Sequence, residues 1–292
     1  MKIDLSDFFK RLRDKISDDD ILGNSAQVAF YFSFALFPLL LFLMSVLGVV
    51  LSDKEQMQAK LFQMLADIMP ASAFELVKNT LDEVTSNASG SKITLGIATT
   101  LWAASAGVDN MRGTLNEVYN LKETRSWIKA KLTSLFLTLG IGFLILLAIG
   151  TVVYGSRLMP TDSILLAEIG QWVAILCLLL LAFALLYNFA PNHAAFKWKW
   201  ITPGSVIGVL LWIALSMGFR LYLHYFNSYS KTYGSLGAMI ILQLWLYLTA
   251  LVILLGGAVN AILDEKSGIK KGTKDQKQVK EEKDDTGHAS RT

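Results

Sequence analysis

Three histidines, one cysteine and five prolines are all that 292 residues hold of those types, and charged residues make up only 17% of the chain. Each shortage excludes something. The lone thiol, Cys177, can form no intramolecular disulfide and no cysteine metal cluster, and it leaves the redox compartment open. His193, His224 and His288 fall in three separate parts of the chain, so they cannot converge with carboxylates on a hydrolytic metal centre. No nucleophile and base stand at a catalytic spacing, and no GxxxxGK[ST] loop occurs. Nor is there a basic, aromatic-bearing soluble stretch to hold RNA. The expectation is a protein that is not an enzyme, has neither cofactor nor metal, and has no nucleic-acid partner.

Apolar sequence is what the chain has in abundance. Hydrophobic residues account for 53% of it and its mean hydropathy is +0.45, too apolar for an ordinary soluble domain. Residues 235–263 run 29 positions without Asp, Glu, Lys or Arg, whereas a helix needs only ~20 apolar residues to cross a bilayer. Further apolar runs occupy residues 26–51, 93–111, 132–154, 164–190 and 201–226. The predicted fold class is all-α, a polytopic membrane bundle with six transmembrane helices. Residues 1–25 form a cytoplasmic amphipathic segment, residues 26–263 the transmembrane domain, and residues 264–292 a disordered tail rich in Lys, Glu and Asp. The first apolar run is too long for a secretory signal core and reads as an uncleaved anchor.

Lys and Arg set the orientation. They number five before the first span, five in residues 112–131, two in 191–200 and eight in the tail, against three, one and one in the alternate connections. Cationic residues are retained on the cytoplasmic side, so both termini are expected in the cytoplasm. Residues 2–17 place Leu5, Phe8, Phe9, Leu12 and Ile16 at helical spacing with Lys10, Arg11, Arg13 and Lys15 around them. Such a helix either lies on an anionic membrane surface or packs under the bundle. Residues 52–91 read as an outer helical hairpin, its second helix opened by a Ser72–Glu75 capping box.

The candidate functional residues are the polar groups stranded in apolar spans. Gln27, Tyr31, Asp109, Asn110, Arg112, Asn116, Glu168, Arg220, Gln243 and Asn260 are of this kind. Ionisable or amide groups in a bilayer mark either a substrate route or hydrogen-bonding between helices. Asp109 falls roughly 24 Å from the outer end of its span, near the inner boundary. Arg220 pairs with Glu168 on one reading and binds a lipid phosphate on the other. Pro38 inside the first span is expected to kink it, and Gly256 and Gly257 to admit a close helix neighbour.

The motifs AFYFSFALFPLL in the first span, LWAASAGVDNMRGTLNEVYN in the second, Pro203-Gly204 opening the fifth, and YGSLGA with LLGGAVNAI bounding the sixth have a familiar order and spacing. Together they resemble the YihY/virulence factor BrkB family over about residues 5–265. The resemblance adds Tyr119, Tyr233 and Gly234 to the candidates and supports Tyr31, Pro38, Asn116, Gly257 and Asn260. It implies a bacterial cytoplasmic (inner) membrane protein with six spans. It also implies a part in envelope biogenesis, with membrane lipids as partners and a homo-oligomer or an envelope protein as further ones. Ribonuclease BN, an old label of the family, does not fit the residues above. Relatives carry Gly-Ala-Glu before the final asparagine, but this chain has Val259 in place of the Glu. The functional expectation is a translocase of lipids or other amphiphiles; the alternative is a non-enzymatic scaffold or assembly factor for envelope machinery.

Overall fold

The computed structural model describes residues 5–50, 90–158, 164–193, 198–225 and 235–266. The predicted hairpin with its Ser72–Glu75 box, Tyr233, Gly234 and all but the start of the tail lie outside the described residues. Seven helices are described: α1 (Leu5–Asp18), α2 (Ile21–Val50), α3 (Gly90–Val118), α4 (Trp127–Leu158), α5 (Ile164–Phe189), α6 (Pro203–Tyr225) and α7 (Ser235–Lys266). Four contain stretches long and apolar enough to cross a membrane: Trp127–Val152, Leu166–Phe189, Pro203–Leu223 and Met239–Glu265. Among the described residues α2 adds the shorter apolar stretch Ile21–Leu36 and runs on through Pro38 without a break.

The helix ends follow from local chemistry. Asp20 adopts φ 43° between α1 and α2, and its carboxylate accepts the Gly23 N–H at 3.3 Å, an N-cap for α2. α3 ends on a left-handed Asn120, φ 52°, where the Leu121 N–H returns to the Asn116 carbonyl and the Asn120 N–H to that of Glu117. That pair of bonds is a Schellman motif, and Asn tolerates the left-handed position next best to Gly. Consequently α3 extends past the predicted boundary at residue 111, and α4 begins at Trp127 rather than 132. The connection read as residues 112–131 shrinks to eight residues, 119–126. Arg112 and Lys131 could join helices because acidic partners neutralise them, as described below.

Packing order is the main topological finding. α2 lies along α3, α3 on α4, α4 on α5, α5 on α6, α6 on α7, and α7 returns to α2, so six helices form a closed ring. α7 also touches α3 across the ring, and α1 rests on α7 and α2. Leu12 and Ile16 of α1 pack against the core, as the packed reading of this helix expects for them, while Leu5 and Phe9 stay exposed.

The core occupies one end of that ring. Ile21 and Val28 open α2, Met111 and Leu115 close α3, Leu137 belongs to the first half of α4, and Tyr187, Val209 and Ala258 come from the matching ends of α5, α6 and α7. Within the four long apolar helices, the opposite halves contribute few buried residues among those described, Leu144 and Ala167 among them.

Candidate functional site

At the packed end, α6 and α7 meet through residues too small or too polar for ordinary apolar packing. Thr202 caps α6: its Oγ1 accepts the Ser205 N–H and the Ser205 Oγ accepts the Thr202 N–H, both at 3.0 Å. Pro203 follows as the first helical residue, where a missing N–H costs nothing. The next N–H, that of Gly204, is donated across to Asn260 Oδ1 of α7 at 2.8 Å, and Asn260 Nδ2 donates to Thr202 Oγ1 at 2.9 Å. One side chain of the last helix thus completes the cap of the helix before it. A Cβ on Gly204 would collide with the Gly256 carbonyl and stand 2.6 Å from Asn260 Cγ; one on Gly256 would collide with the Tyr187 hydroxyl. That hydroxyl donates to the Ile253 carbonyl at 2.7 Å, tying α5 to α7. Tyr119 hydrogen-bonds the Asn260 side chain, and burial outweighs that bond in keeping its phenol protonated well above the usual range. Its ring meets His193 edge-on at 5.3 Å.

Beside this floor runs a chain of charges. Lys131, only 9% exposed, donates to Asp109 Oδ2 at 2.6 Å and lies 4.5 Å from the centre of the Trp102 ring, a cation–π contact. Arg112 approaches the other Asp109 oxygen at 3.8 Å, donates to Ser134 Oγ at 3.2 Å and pairs with Glu123. Glu123 also accepts from Asn116 Nδ2 at 3.1 Å and from Arg125 Nε at 2.9 Å. Arg125 then donates to the Phe189 and Ala190 carbonyls at 3.2 and 2.8 Å, capping α5 where a cation complements the helix dipole. Desolvation pushes the Glu123 carboxyl up, but hydrogen bonds and charge from Arg125, with charge from Arg112, outweigh it and hold the group below its ordinary range. Asn116 Oδ1 accepts the Asn192 N–H at 2.7 Å, and Asn192 Nδ2 donates to the Lys122 carbonyl and to Thr124 Oγ1, both at 2.8 Å. The two connections at this end are therefore sewn together by fully used amides.

Of the predicted candidates, Asp109, Arg112, Asn116, Tyr119 and Asn260 gather here with Gly204, Gly256 and Gly257. Gln27, Tyr31, Glu168 and Arg220 are exposed, and Gln243 is half-buried on α7. Among the described residues no ion pair joins Arg220 to Glu168, so the pairing reading does not hold. Asn110 leaves its buried Oδ1 without a hydrogen-bond partner. Sequence reasoning missed Glu123, the hub of the charge chain, because a glutamate in a connection looks solvated. The signal was present in the Glu123–Arg125 pair beside an otherwise cationic stretch. It also passed over Tyr187, Asn192 and Thr202, whose roles depend on partners 66, 76 and 58 positions away. The described hydrogen bonds and ion pairs of this assembly fasten one helix to the next. Among the described residues no group of three or more His, Cys, Asp or Glu could hold a metal.

The family model described as virulence factor BrkB matches residues 12–282. This chain belongs to that family. BrkB-family relatives include the ribonuclease-like protein YfkH of Bacillus subtilis, 32% identical, with 89% of this chain and 96% of that protein covered. A UPF0761 membrane protein of Vibrio parahaemolyticus is 29% identical over 88% of this chain and 82% of its own. Another, of Idiomarina loihiensis, is 27% identical over 73% of this chain and 74% of its own. No solved structure matches the chain. The family and the long apolar helices make this BrkB-family member a multi-pass membrane protein.

Proposed function

We propose that this chain moves lipids or other amphiphiles across the bacterial cytoplasmic membrane in envelope biogenesis, with α2 to α7 as six spans and both termini in the cytoplasm. The observation that carries the reading is the polarised burial. Among the described residues α4 buries Ala130, Lys131, Ser134, Leu137 and Thr138 in its first half but only Gly142 and Leu144 beyond them, and α5 buries Ala167 near its start and Phe183, Ala184, Leu186, Tyr187 and Asn188 at its end, with nothing described as buried between. A floor fastened by ions and amides under a thinly packed opposite half lets a headgroup enter from one leaflet while its tails remain in lipid. Lys and Arg concentrate at the fastened end, which supports a cytoplasmic placement of that end. Arg220 stands about 25 Å along α6 from Pro203, at the open end, where a guanidinium meets lipid phosphates. The protein works without a catalytic centre, consistent with the scarcity of residues for one.

The test is flipping in liposomes that hold the purified protein, with a fluorescent phospholipid and an external reductant. Wild type should expose the inner-leaflet probe faster than empty liposomes, and Arg220→Ala should slow it. Rates equal to those of empty liposomes for phospholipid, lysolipid and glycolipid probes alike, with the protein monodisperse, would sink the translocase reading.

A further inference from the structure

The seam between α2 and α3 contains polar groups that the packed end does not use. Asn24 Nδ2 of α2 donates to Glu117 Oε2 of α3 at 3.3 Å, and a Cβ on Gly107 would stand 2.8 Å from Phe32 and 3.0 Å from Ala35. These contacts fix an antiparallel register in which Asn110 of α3 is level with Phe30 and Tyr31 of α2. On α3, Gly107, Asn110, Thr114 and Glu117 are spaced three, four and three residues apart, one face of a helix. On α2, Asn24, Gln27, Tyr31 and Ala35 are spaced three, four and four apart, likewise one face. The end members of both stripes touch the opposite helix, so their middle members, Asn110, Gln27 and Tyr31, belong to the same seam.

Most amide and threonine side chains described elsewhere in this protein are consumed internally, although the buried Trp198 Nε1 and Thr249 Oγ1 also lack a partner. Asn116, Asn188, Asn192 and Asn260 each use both ends of their amide or both donors, and Thr114, Thr133, Thr138 and Thr151 return their hydroxyls to the carbonyl one turn back. The seam departs from this habit. Asn110 Oδ1 is buried without a partner, and among the described residues no hydrogen bond reaches the side chains of Gln27 or Tyr31, the latter 41% exposed. An acceptor shielded from water and left unpaired is costly, so native proteins keep one mainly where something else supplies the donor. Exposed Phe30 and Phe34, their rings 4.9 Å apart, flank the site with an apolar shelf. Residues 21–50 contain no charged side chain, and the exposed Glu117 is the seam's charge.

We propose that the α2–α3 seam is a membrane-facing subsite for the headgroup of an amphiphile, and that it selects headgroups offering hydrogen-bond donors, hydroxyl or ammonium. Asn110 Oδ1 and Glu117 ask for donors, Gln27 and Tyr31 can answer either kind, and neither stripe of the seam, among the described residues, carries a cation to favour a headgroup that only accepts. The acyl chains lie against Phe30 and Phe34. This subsite names the substrate class for the translocase reading and rests on it, although binding here can be measured without transport.

The experiment is native mass spectrometry of the full chain released from nanodiscs containing equal parts of phosphatidylcholine, phosphatidylethanolamine and phosphatidylglycerol. The first lipid has no headgroup donor, the second an ammonium and the third hydroxyls. Wild type should retain the second or third over phosphatidylcholine by about threefold to tenfold, the effect of one hydrogen bond. Asn110→Leu should lose that preference. Gln27→Leu, at an exposed position that leaves packing intact, should weaken it, which keeps the test decisive if Asn110→Leu misfolds. Equal retention of all three lipids by wild type overturns the proposal, as does an unchanged preference in Gln27→Leu and Asn110→Leu. A dimer that both substitutions dissolve overturns it too, by assigning the seam to a second copy. Selective retention with no flipping leaves the subsite standing and removes the translocase; flipping without selectivity does the reverse.

Discussion

Gly204→Ala is the substitution that tests the α6–α7 crossing most directly. The new methyl would overlap the Gly256 carbonyl and lie 2.6 Å from Asn260 Cγ, and neither neighbour can move alone, because one is backbone and the other is held by two hydrogen bonds. Restoring contacts of about 3.5 Å requires the two helices to part by about 1 Å at Asn260 and about 1.5 Å at the Gly256 carbonyl. The Gly204 N–H to Asn260 bond, 2.8 Å in the native arrangement, then stretches to about 3.8 Å and ceases to be one. Overpacking of this kind costs about 1–3 kcal/mol and the lost bond about 1 kcal/mol, against which Ala regains about 0.5–1 kcal/mol of helix preference over Gly. The net expectation is a destabilisation of about 2–3 kcal/mol. Unfolding of the purified protein in mixed micelles, followed by circular dichroism against denaturing detergent, measures it. Gly218→Ala is the control on the same helix, because a Cβ there meets nothing within 4 Å, and it should hold or raise the midpoint. A Gly204→Ala protein as stable as Gly218→Ala would refute the close crossing.

Three further outcomes follow from the packed end. Glu123→Gln should lower the unfolding midpoint at neutral pH by the equivalent of about 1 kcal/mol, kept modest by the partial exposure of the pair. Because the native carboxyl titrates below its ordinary range, its stabilisation is complete above the unfolded-state value and disappears as pH falls through the native one. The wild-type and Glu123→Gln midpoints should therefore converge in acid, and a gap that persists there would contradict the assignment. Arg125→Lys retains the charge but cannot span Glu123 and both α5 carbonyls at once, so about 1 kcal/mol should be lost in the same assay. Tyr187→Phe should cost about 0.5–1.5 kcal/mol through loss of the bond from the hydroxyl to the Ile253 carbonyl, read as faster amide exchange in the last turns of α7.

The four long apolar helices were legible because apolar runs of this length have few other solutions, and α5 and α7 begin where the sequence places them. The connection between α3 and α4 was not, for a physical reason. Arg112, Lys129 and Lys131 look like the solvated charges of a loop, yet all three lie within helices: Lys129 stays exposed in the first turn of α4, and Asp109 and Glu123, brought close by folding, allow Arg112 and Lys131 to be sheltered from water. The same limit applies to the site. Asn116, Tyr119 and Asn260 were picked out as polar residues in apolar surroundings, yet nothing local says that Asn260 caps a helix beginning 57 positions earlier at Pro203. Arg220 and Glu168 illustrate the converse error: opposite charges at similar depth invited a pairing that the ring geometry does not make.

The position of α7 has a consequence for biogenesis. Helices enter a membrane in order of synthesis, and the one made last here supplies Asn260 to the cap of α6, the Ile253 carbonyl to Tyr187 and the contact that closes the ring onto α2. Until it arrives, a nascent chain carries unsatisfied polar groups on α5 and α6 within the bilayer and an unclosed edge on α2. A chain cut short before α7 would leave the Gly204 N–H and the Tyr187 hydroxyl without the partners that α7 supplies, and α2 without the neighbour that closes the ring.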